Sequence, residues 1–192
     1  MTPDEPFDAG DLAASGAAMR EEWRTEEEHW TAAAATQWAH GRSLVDIATE
    51  VMHRGDTVQA LVGPSSFVGR VTYVGRDYLQ LNAPGGQVDI RLVLPSAAGA
   101  NAIGAPLALH IVERARAGGE RPAPGADTFR ARLLEREADG APVLIGAALL
   151  RDTLRGELVV GRDQLMIRGA EGEETYLPLA WISWVMTADD GA

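Results

Sequence analysis

The residues of this 192-residue chain whose types could catalyse reactions or bind metals are not grouped by their spacing into a recognisable site. The chain has no cysteine, which excludes disulfides, iron–sulfur clusters and thiolate zinc sites. Ser65 and Ser66 lack the Gly-x-Ser-x-Gly context of a hydrolase nucleophile, and no phosphate-binding glycine pattern is present. The scattered histidines are His29, His40, His53 and His110. We therefore predict no catalytic residue, no metal site, no cofactor and no enzymatic activity.

Arginine and aspartate side chains are the first candidates for binding. Arg70, Arg76 and Arg91 form a candidate nucleic-acid contact surface, because Arg70 and Arg91 take outward positions on predicted strands. Asp77 and Asp163 each follow a Gly-Arg pair. Since aspartate readily accepts hydrogen bonds from nearby backbone N–H groups, we expect both to be structural residues that cap a tight bend.

Tryptophans are the second candidates. Trp23, Trp30 and Trp38 recur at spacings that place them on one face of a helix. They are candidates for docking a protein partner, and packing of their helix onto the rest of the chain explains the same pattern.

The charge is unevenly distributed along the chain. Its net value is −11, and residues 1–40, 41–119 and 120–192 contribute −7, +1 and −5. All 17 basic residues are arginine. Because an acidic chain is repelled by nucleic-acid phosphates, nucleic-acid binding is disfavoured and requires a local basic face. Only the middle segment carries the arginines for such a face.

The amino-terminal part is predicted to be a tail followed by one helix. Residues 1–16 combine proline, glycine and acids and are expected to be disordered. Residues 17–41 predict an amphipathic helix, with Gly41 at its end. No secretion signal is visible, and no apolar run approaches the roughly 20 residues that span a bilayer. We expect a cytoplasmic protein with no membrane partner.

The rest of the chain contains one pattern twice. Val74-Gly75-Arg76-Asp77 returns as Val160-Gly161-Arg162-Asp163. Each copy begins with a helix, capped by Ser43 or Asp127, and continues with short strands whose hydrophobic period is two. This order of elements, repeated in register, predicts an internal duplication. The expected boundaries are 42–117 for the first unit, 118–126 for a linker, 127–187 for the second unit and 188–192 for a tail.

A helix followed by five bent antiparallel strands resembles the plan of the Sm-like (LSm) barrel. Gly69 to Leu81 resembles the Gly-x-hydrophobic and Asp-x-hydrophobic segment of the first Sm motif, and Gly156 to Leu165 repeats it. The ending Leu177-Pro178-Leu179-Ala180-Trp181-Ile182 is similar to that of uncharacterised Sm-like proteins of GC-rich bacteria. The resemblance implies a mainly β fold with helices (α+β), made of two tandem five-stranded barrels.

The RNA-binding residues of that family are not carried over. After the motif aspartates the chain reads Tyr78-Leu79-Gln80-Leu81 and Gln164-Leu165-Met166-Ile167, without the asparagine that holds a base. Arg91 is not followed by the glycine of the second motif. The preferred function is therefore that of an interaction, scaffold or regulatory protein with a protein partner or self-association. Two alternatives stay open: a nucleic-acid-binding regulator and a small-ligand sensor with a pocket between the barrels.

Three further expectations concern the strands. The two units are expected to pair through the fifth strand of one and the fourth strand of the other, with Pro178 on an edge because it cannot donate to a ladder. Of Trp181 and Trp184, which are three apart in a predicted strand, one is expected inside and one outside. Residues 107–117 fit either a strand or a helix.

Overall fold

The computed structural model describes residues 9–92, 107–116, 118, 125–148 and 150–188 of the chain. It divides the chain into two compact units, Met1–Arg42 and Ser43–Ala192. No helix in the described ranges is long and apolar enough to cross a membrane. The predicted loop at 95–106 and most of the predicted linker lie outside the described residues.

The described residues of the first unit form one helix, α1, from Ala9 to His40. It begins earlier than predicted and includes residues 9–16. This segment contains the favourable helix formers Leu12, Ala13 and Ala14 between its two glycines. The helix ends at Gly41 as expected. Its apolar residues are spread around the helix and are not gathered on one face. The helix is therefore not amphipathic as predicted, although the three tryptophans recur at helical spacing.

Two short helices open the two halves of the second unit. Helix α2 covers Leu44–Arg54 and has the predicted N-cap, Ser43, which accepts a hydrogen bond from Asp46 N–H. Helix α3 covers Phe129–Asp139, and its N-cap is Thr128, not the predicted Asp127. Asp127 instead pairs with Arg76, at 2.8 Å.

In the part of the chain that the structure describes, the remaining elements are ten strands and one short 3-10 turn, Leu179–Trp181. The strands are β1 Thr57–Val62, β2 Ser65–Val74, β3 Tyr78–Ala83, β4 Gly86–Arg91, β5 Leu107–Glu113, β6 Val143–Ala147, β7 Leu154–Val160, β8 Gln164–Arg168, β9 Glu174–Pro178 and β10 Ile182–Thr187. They form one antiparallel sheet in the order β5-β1-β2-β3-β4-β10-β6-β7-β8-β9. The ambiguous segment beginning at residue 107 is therefore a strand.

The sheet is open and continuous, and it does not confirm two separate closed barrels. The mixed α+β class is as predicted. The expected pairing of a fourth with a fifth strand is confirmed, because β4 pairs with β10 through Ile90–Trp184, Asp89–Val185 and Val88–Met186. We call this pairing, with the side chains around it, the inner joint between the first half (residues 43–113) and the second half (residues 125–188).

Each half has its own hydrophobic core, and each core includes one fully packed, buried aromatic side chain from the other half. Trp184 of β10 packs into the first core, where its ring centroid lies 4.9 Å from that of Phe67. Tyr78 of β3 packs into the second core beside Phe129, at 6.1 Å between centroids. Trp184 is buried and Trp181 is exposed, as predicted for the pair, although Trp181 belongs to the 3-10 turn and not to a strand.

Two glycines allow the strands to approach closely at corresponding places. Gly69 pairs with Val58 and Gly156 pairs with Val143. A Cβ atom on Gly69 would overlap the backbone of Asn82, and one on Gly156 would overlap the backbone of Arg168. Since backbone cannot move aside as a flexible side chain does, only glycine fits.

We expect Gly69→Ala and Gly156→Ala each to destabilise the fold by about 1–3 kcal/mol through overpacking. Gly85→Ala is the matched control, because the nearest atom to its Cβ would be Met186 Cε at 3.5 Å. Urea unfolding followed by circular dichroism measures the three variants. Equal stability of all three would contradict the close approach.

A buried carboxylate joins α2 to the segment that follows β5. Asp56, 1% exposed, accepts hydrogen bonds from Ala115 N–H at 2.9 Å and from Arg54 Nε at 2.8 Å. Burial opposes ionisation of Asp56, but the hydrogen bonds from Ala115 and Arg54 outweigh it, so its pKa lies below the ordinary value of 3.8.

Asp56→Asn is expected to lower the free energy of unfolding by about 1–3 kcal/mol at neutral pH. Because the folded-state pKa is lowered, the carboxylate stabilises the fold above about pH 4, and this contribution is lost as the pH falls further. The difference between wild type and variant in urea midpoint should therefore shrink on acidification. A difference that is constant with pH would show that Asp56 is not stabilising as a carboxylate.

Candidate functional site

The three candidate arginines do not share one outward surface. Arg70 is exposed on β2. Arg76 is also exposed but pairs with Asp127, and their side chains are 77% and 63% accessible. Arg91 is 7% exposed, so the expected outward position of Arg91 is wrong. The reason is that β4 is an inner strand, flanked by β3 and β10, and the second half covers it.

The side chain of Arg91 contacts residues of the second half. Its Nη1 donates to the carbonyl of Leu179 at 2.9 Å, and its guanidinium lies 4.6 Å from the centroid of the Phe129 ring. Burial lowers the pKa of Arg91. Its Nε is buried without a hydrogen-bond partner among the described residues. This arginine therefore contributes to the inner joint and is not available to contact a phosphate.

The two bend aspartates have different environments. Asp77 Oδ1 accepts the N–H of Phe129 at 2.7 Å, so it caps the first turn of α3 and not its own bend. The bends are closed by backbone hydrogen bonds instead, from Gly75 N–H to Tyr78 O and from Gly161 N–H to Gln164 O, both 2.9 Å. Asp163 is exposed, and within the described ranges its carboxylate accepts no hydrogen bond.

A buried ion pair lies at the centre of the inner joint. Asp89 of β4 is fully buried and pairs with Arg136 of α3, which is 5% exposed, and with Arg132 at 3.2 Å. Arg136 also donates to Thr187 Oγ1 at 2.6 Å and to Gln87 O at 2.9 Å. The guanidinium of Arg136 thus links α3 to both strands of the β4–β10 pair.

This ion pair was not predicted, although the sequence carries two signals of it. Phe129, Leu133 and Arg136 follow the spacing of the buried face of a helix, which places a charge at a core position. Asp89 interrupts the apolar strand residues Val88 and Ile90. A charge at a core position usually has a buried partner of opposite charge.

Asp89→Asn should destabilise the fold by about 3–5 kcal/mol, because it leaves the buried Arg136 cation without a counter-charge. Asp127→Asn, which breaks the exposed pair with Arg76, is the control and should change stability by less than about 1 kcal/mol. Chemical unfolding monitored by tryptophan fluorescence compares them. Similar effects of the two substitutions would contradict a structural role for the buried pair.

The two halves place the same backbone interactions at corresponding positions. Leu92 N–H donates to Asp77 O and Leu179 N–H donates to Asp163 O, both at 2.8 Å. In β3 and β4, Leu79 is opposite Ile90; in β8 and β9, Leu165 is opposite Leu177. These pairings make β4 the counterpart of β9, and the strand order within each half makes β5 the counterpart of β10.

The second half consequently has an uncovered surface that corresponds to a covered one in the first half. In the first half, Phe129 of α3 lies against Tyr78 and Arg91 and donates its N–H to Asp77. The corresponding residues of the second half line a surface depression of about 270 Å³. They are Asp163, Gln164, Tyr176, Leu177 and Pro178. We call this depression the open socket.

The open socket lies beside an end of the sheet. In the described part of the chain, β9 and β5 are the two terminal strands. Pro178 is on β9, as expected for a residue that cannot donate to a ladder. Tyr176 in the same strand is 57% exposed. Unpaired backbone groups at such edges are a template for another strand.

A smaller cleft lies where the two halves meet beside Trp184. It has a volume of about 110 Å³ and is lined by Ser65, Arg151 and Asp152 among others. Sites for small molecules usually occupy about 300–1,000 Å³. This cleft gives little support to a ligand sensor.

The tryptophans of α1 are largely exposed side chains, and their docking role stays a prediction.

Comparison of the chain with protein-family models, with curated proteins and with solved structures finds no match.

Proposed function

We propose that this protein is a non-enzymatic interaction or scaffold protein, built by internal duplication from two tandem Sm-like units. The observation that carries the proposal is the open socket beside the terminal strand β9. Its counterpart in the first half receives a helix start and a neighbouring strand. A surface with the same plan, which none of the described residues covers, is suited to the same kind of contact with a protein.

Strand addition is the interaction mode that we propose for this edge. In antiparallel pairs, backbone groups point alternately towards the two neighbouring strands. Leu179 N–H points towards β8, because it donates to Asp163 O. By alternation, Tyr176 directs its N–H and C=O outward from the sheet. A peptide strand there would gain ladder hydrogen bonds, and the exposed ring of Tyr176 would add apolar contact.

The nucleic-acid alternative has less support. Of its three arginines, Arg91 is buried in the inner joint and Arg76 is paired with Asp127. Arg70 alone would not offset a net charge of −11. A protein partner is therefore the preferred reading of the open socket.

Photo-crosslinking tests the proposal. A benzophenone amino acid at Tyr176, introduced in the native cell, should give a covalent adduct with a defined protein. The control position is Val159 of β7, which is also exposed but lies on an inner strand. Adducts at position 176 and none at position 159 are expected. No protein adduct at 176, or an equal yield at both positions, would overturn the proposed interaction surface.

A further inference from the structure

We propose that the occupant of the open socket is a second copy of this chain, which adds its β5 to β9 in the geometry of the inner joint. This inference rests on the proposed function and names its partner. The sheet already contains a joint between two strands of different type, β4 and β10, where β10 is the counterpart of β5. Its two terminal strands repeat this combination, because β9 is the counterpart of β4 and β5 is the counterpart of β10.

The register of the new joint follows from the strand pairs. Because Gln59–His110 in β1–β5 corresponds to Leu144–Met186 in β6–β10, His110 is the counterpart of Met186. Because Leu81–Val88 corresponds to Ile167–Thr175, Thr175 is the counterpart of Val88. Met186 is opposite Val88 in the inner joint. The partner subunit's His110 should therefore be opposite Thr175, and the partner subunit's Leu109 opposite Tyr176.

The start of α2 and the bend before β8 carry complementary hydrogen-bonding groups. Ser43 and Thr128 are the N-caps of α2 and α3, so Leu44 corresponds to Phe129 as the first helical residue. The N–H of Leu44 donates to no described residue, and the carboxylate of Asp163 accepts from none. In the proposed joint Asp163 accepts the N–H of the partner subunit's Leu44, as Asp77 accepts that of Phe129.

The side chains around this contact change together. In the inner joint the aromatic ring of Phe129 lies beneath the cation of Arg91. In the open socket the arginine is replaced by Pro178, and the residue that would enter is an aliphatic leucine. An aliphatic side chain against a proline ring is an apolar contact that leaves no charge buried without a partner. The cation–aromatic contact of Arg91 with Phe129 is thus replaced by an apolar contact of Pro178 with the partner subunit's Leu44.

The new joint should be weaker than the inner joint. Trp184 and Tyr78 anchor the inner joint in opposite cores, and their counterparts at the open ends are Ala108 and Gln164. Association is therefore expected to be reversible and to depend on concentration. Because its two surfaces differ, the contact is head-to-tail and yields a closed ring or an open filament.

Cysteine crosslinking tests the register, since the chain contains no native cysteine. His110→Cys chains mixed with Thr175→Cys chains should form a disulfide-linked heterodimer under mild oxidation, because directly opposite Cβ atoms are within disulfide reach. The control replaces Thr175→Cys with Tyr176→Cys, a more exposed neighbour whose side chain points to the other face. If the cysteines met only by random collision, the more exposed position 176 would crosslink faster than position 175. Crosslinking through position 176 as fast as through 175 would overturn the register.

Sedimentation velocity over a range of concentrations tests association without cysteines. Wild type should increase in mass with concentration; Tyr176→Pro, which removes an outward N–H, should not. Tyr176→Thr keeps the N–H and should still associate. A wild type that is monomeric throughout would overturn self-association. If photo-crosslinking at Tyr176 then captured a different protein, the interaction function would stand with another partner, whereas no adduct would remove both proposals.

Discussion

The buried ion pair between Asp89 and Arg136 is the interaction on which the arrangement of the two halves depends. Removing two charges from water costs several kcal/mol per ion, and only good geometry with further hydrogen bonds offsets that cost. Arg136 obtains those bonds from Thr187 and Gln87, on the two strands that meet at the inner joint. If the halves separated, the guanidinium and its carboxylate would both lose their partners. The pair therefore makes one relative position of β4, β10 and α3 strongly favoured.

Two aromatic side chains at the same joint make the packing of each half depend on the other. Tyr78 completes the core of the second half and Trp184 completes that of the first, so neither core is fully packed without the other half. This shared packing accompanies the β4–β10 pairing, through which the strands of the described residues form one open sheet. It explains the difference between the inner joint and the ends of the sheet. The two terminal strands are of the same types as β4 and β10, and the β9 end keeps a bend aspartate, but neither end has an aromatic anchor, which suits a contact that forms and dissociates.

Local features of the fold could be read from the sequence with few errors. Ser43 caps α2 and Gly41 follows the last residue of α1, as expected from capping preferences, and period-two hydrophobicity located the strands. The errors have specific causes. Thr128 caps α3 in place of Asp127 because neighbouring residues with similar capping ability compete. The position of Arg91 was misjudged because alternation along a strand tells which side chains share a face, but it does not tell what covers that face. Asp77 was assigned to its own bend, although its partner is 52 residues away along the chain.

The sequence by itself determined the elements, their order, the correspondence of the two patterns and the net charge of −11. These depend on local propensity, hydrophobic period and composition, which are properties of short segments. Only the tertiary structure decided that Asp89, Arg132 and Arg136 meet, that Arg91 is buried and that Asp163 is exposed beside an open socket. Each of these depends on which distant segments come into contact. Because the burial of a charge is set by its neighbours in space, identical motifs such as Gly75-Arg76-Asp77 and Gly161-Arg162-Asp163 have one filled and one open environment.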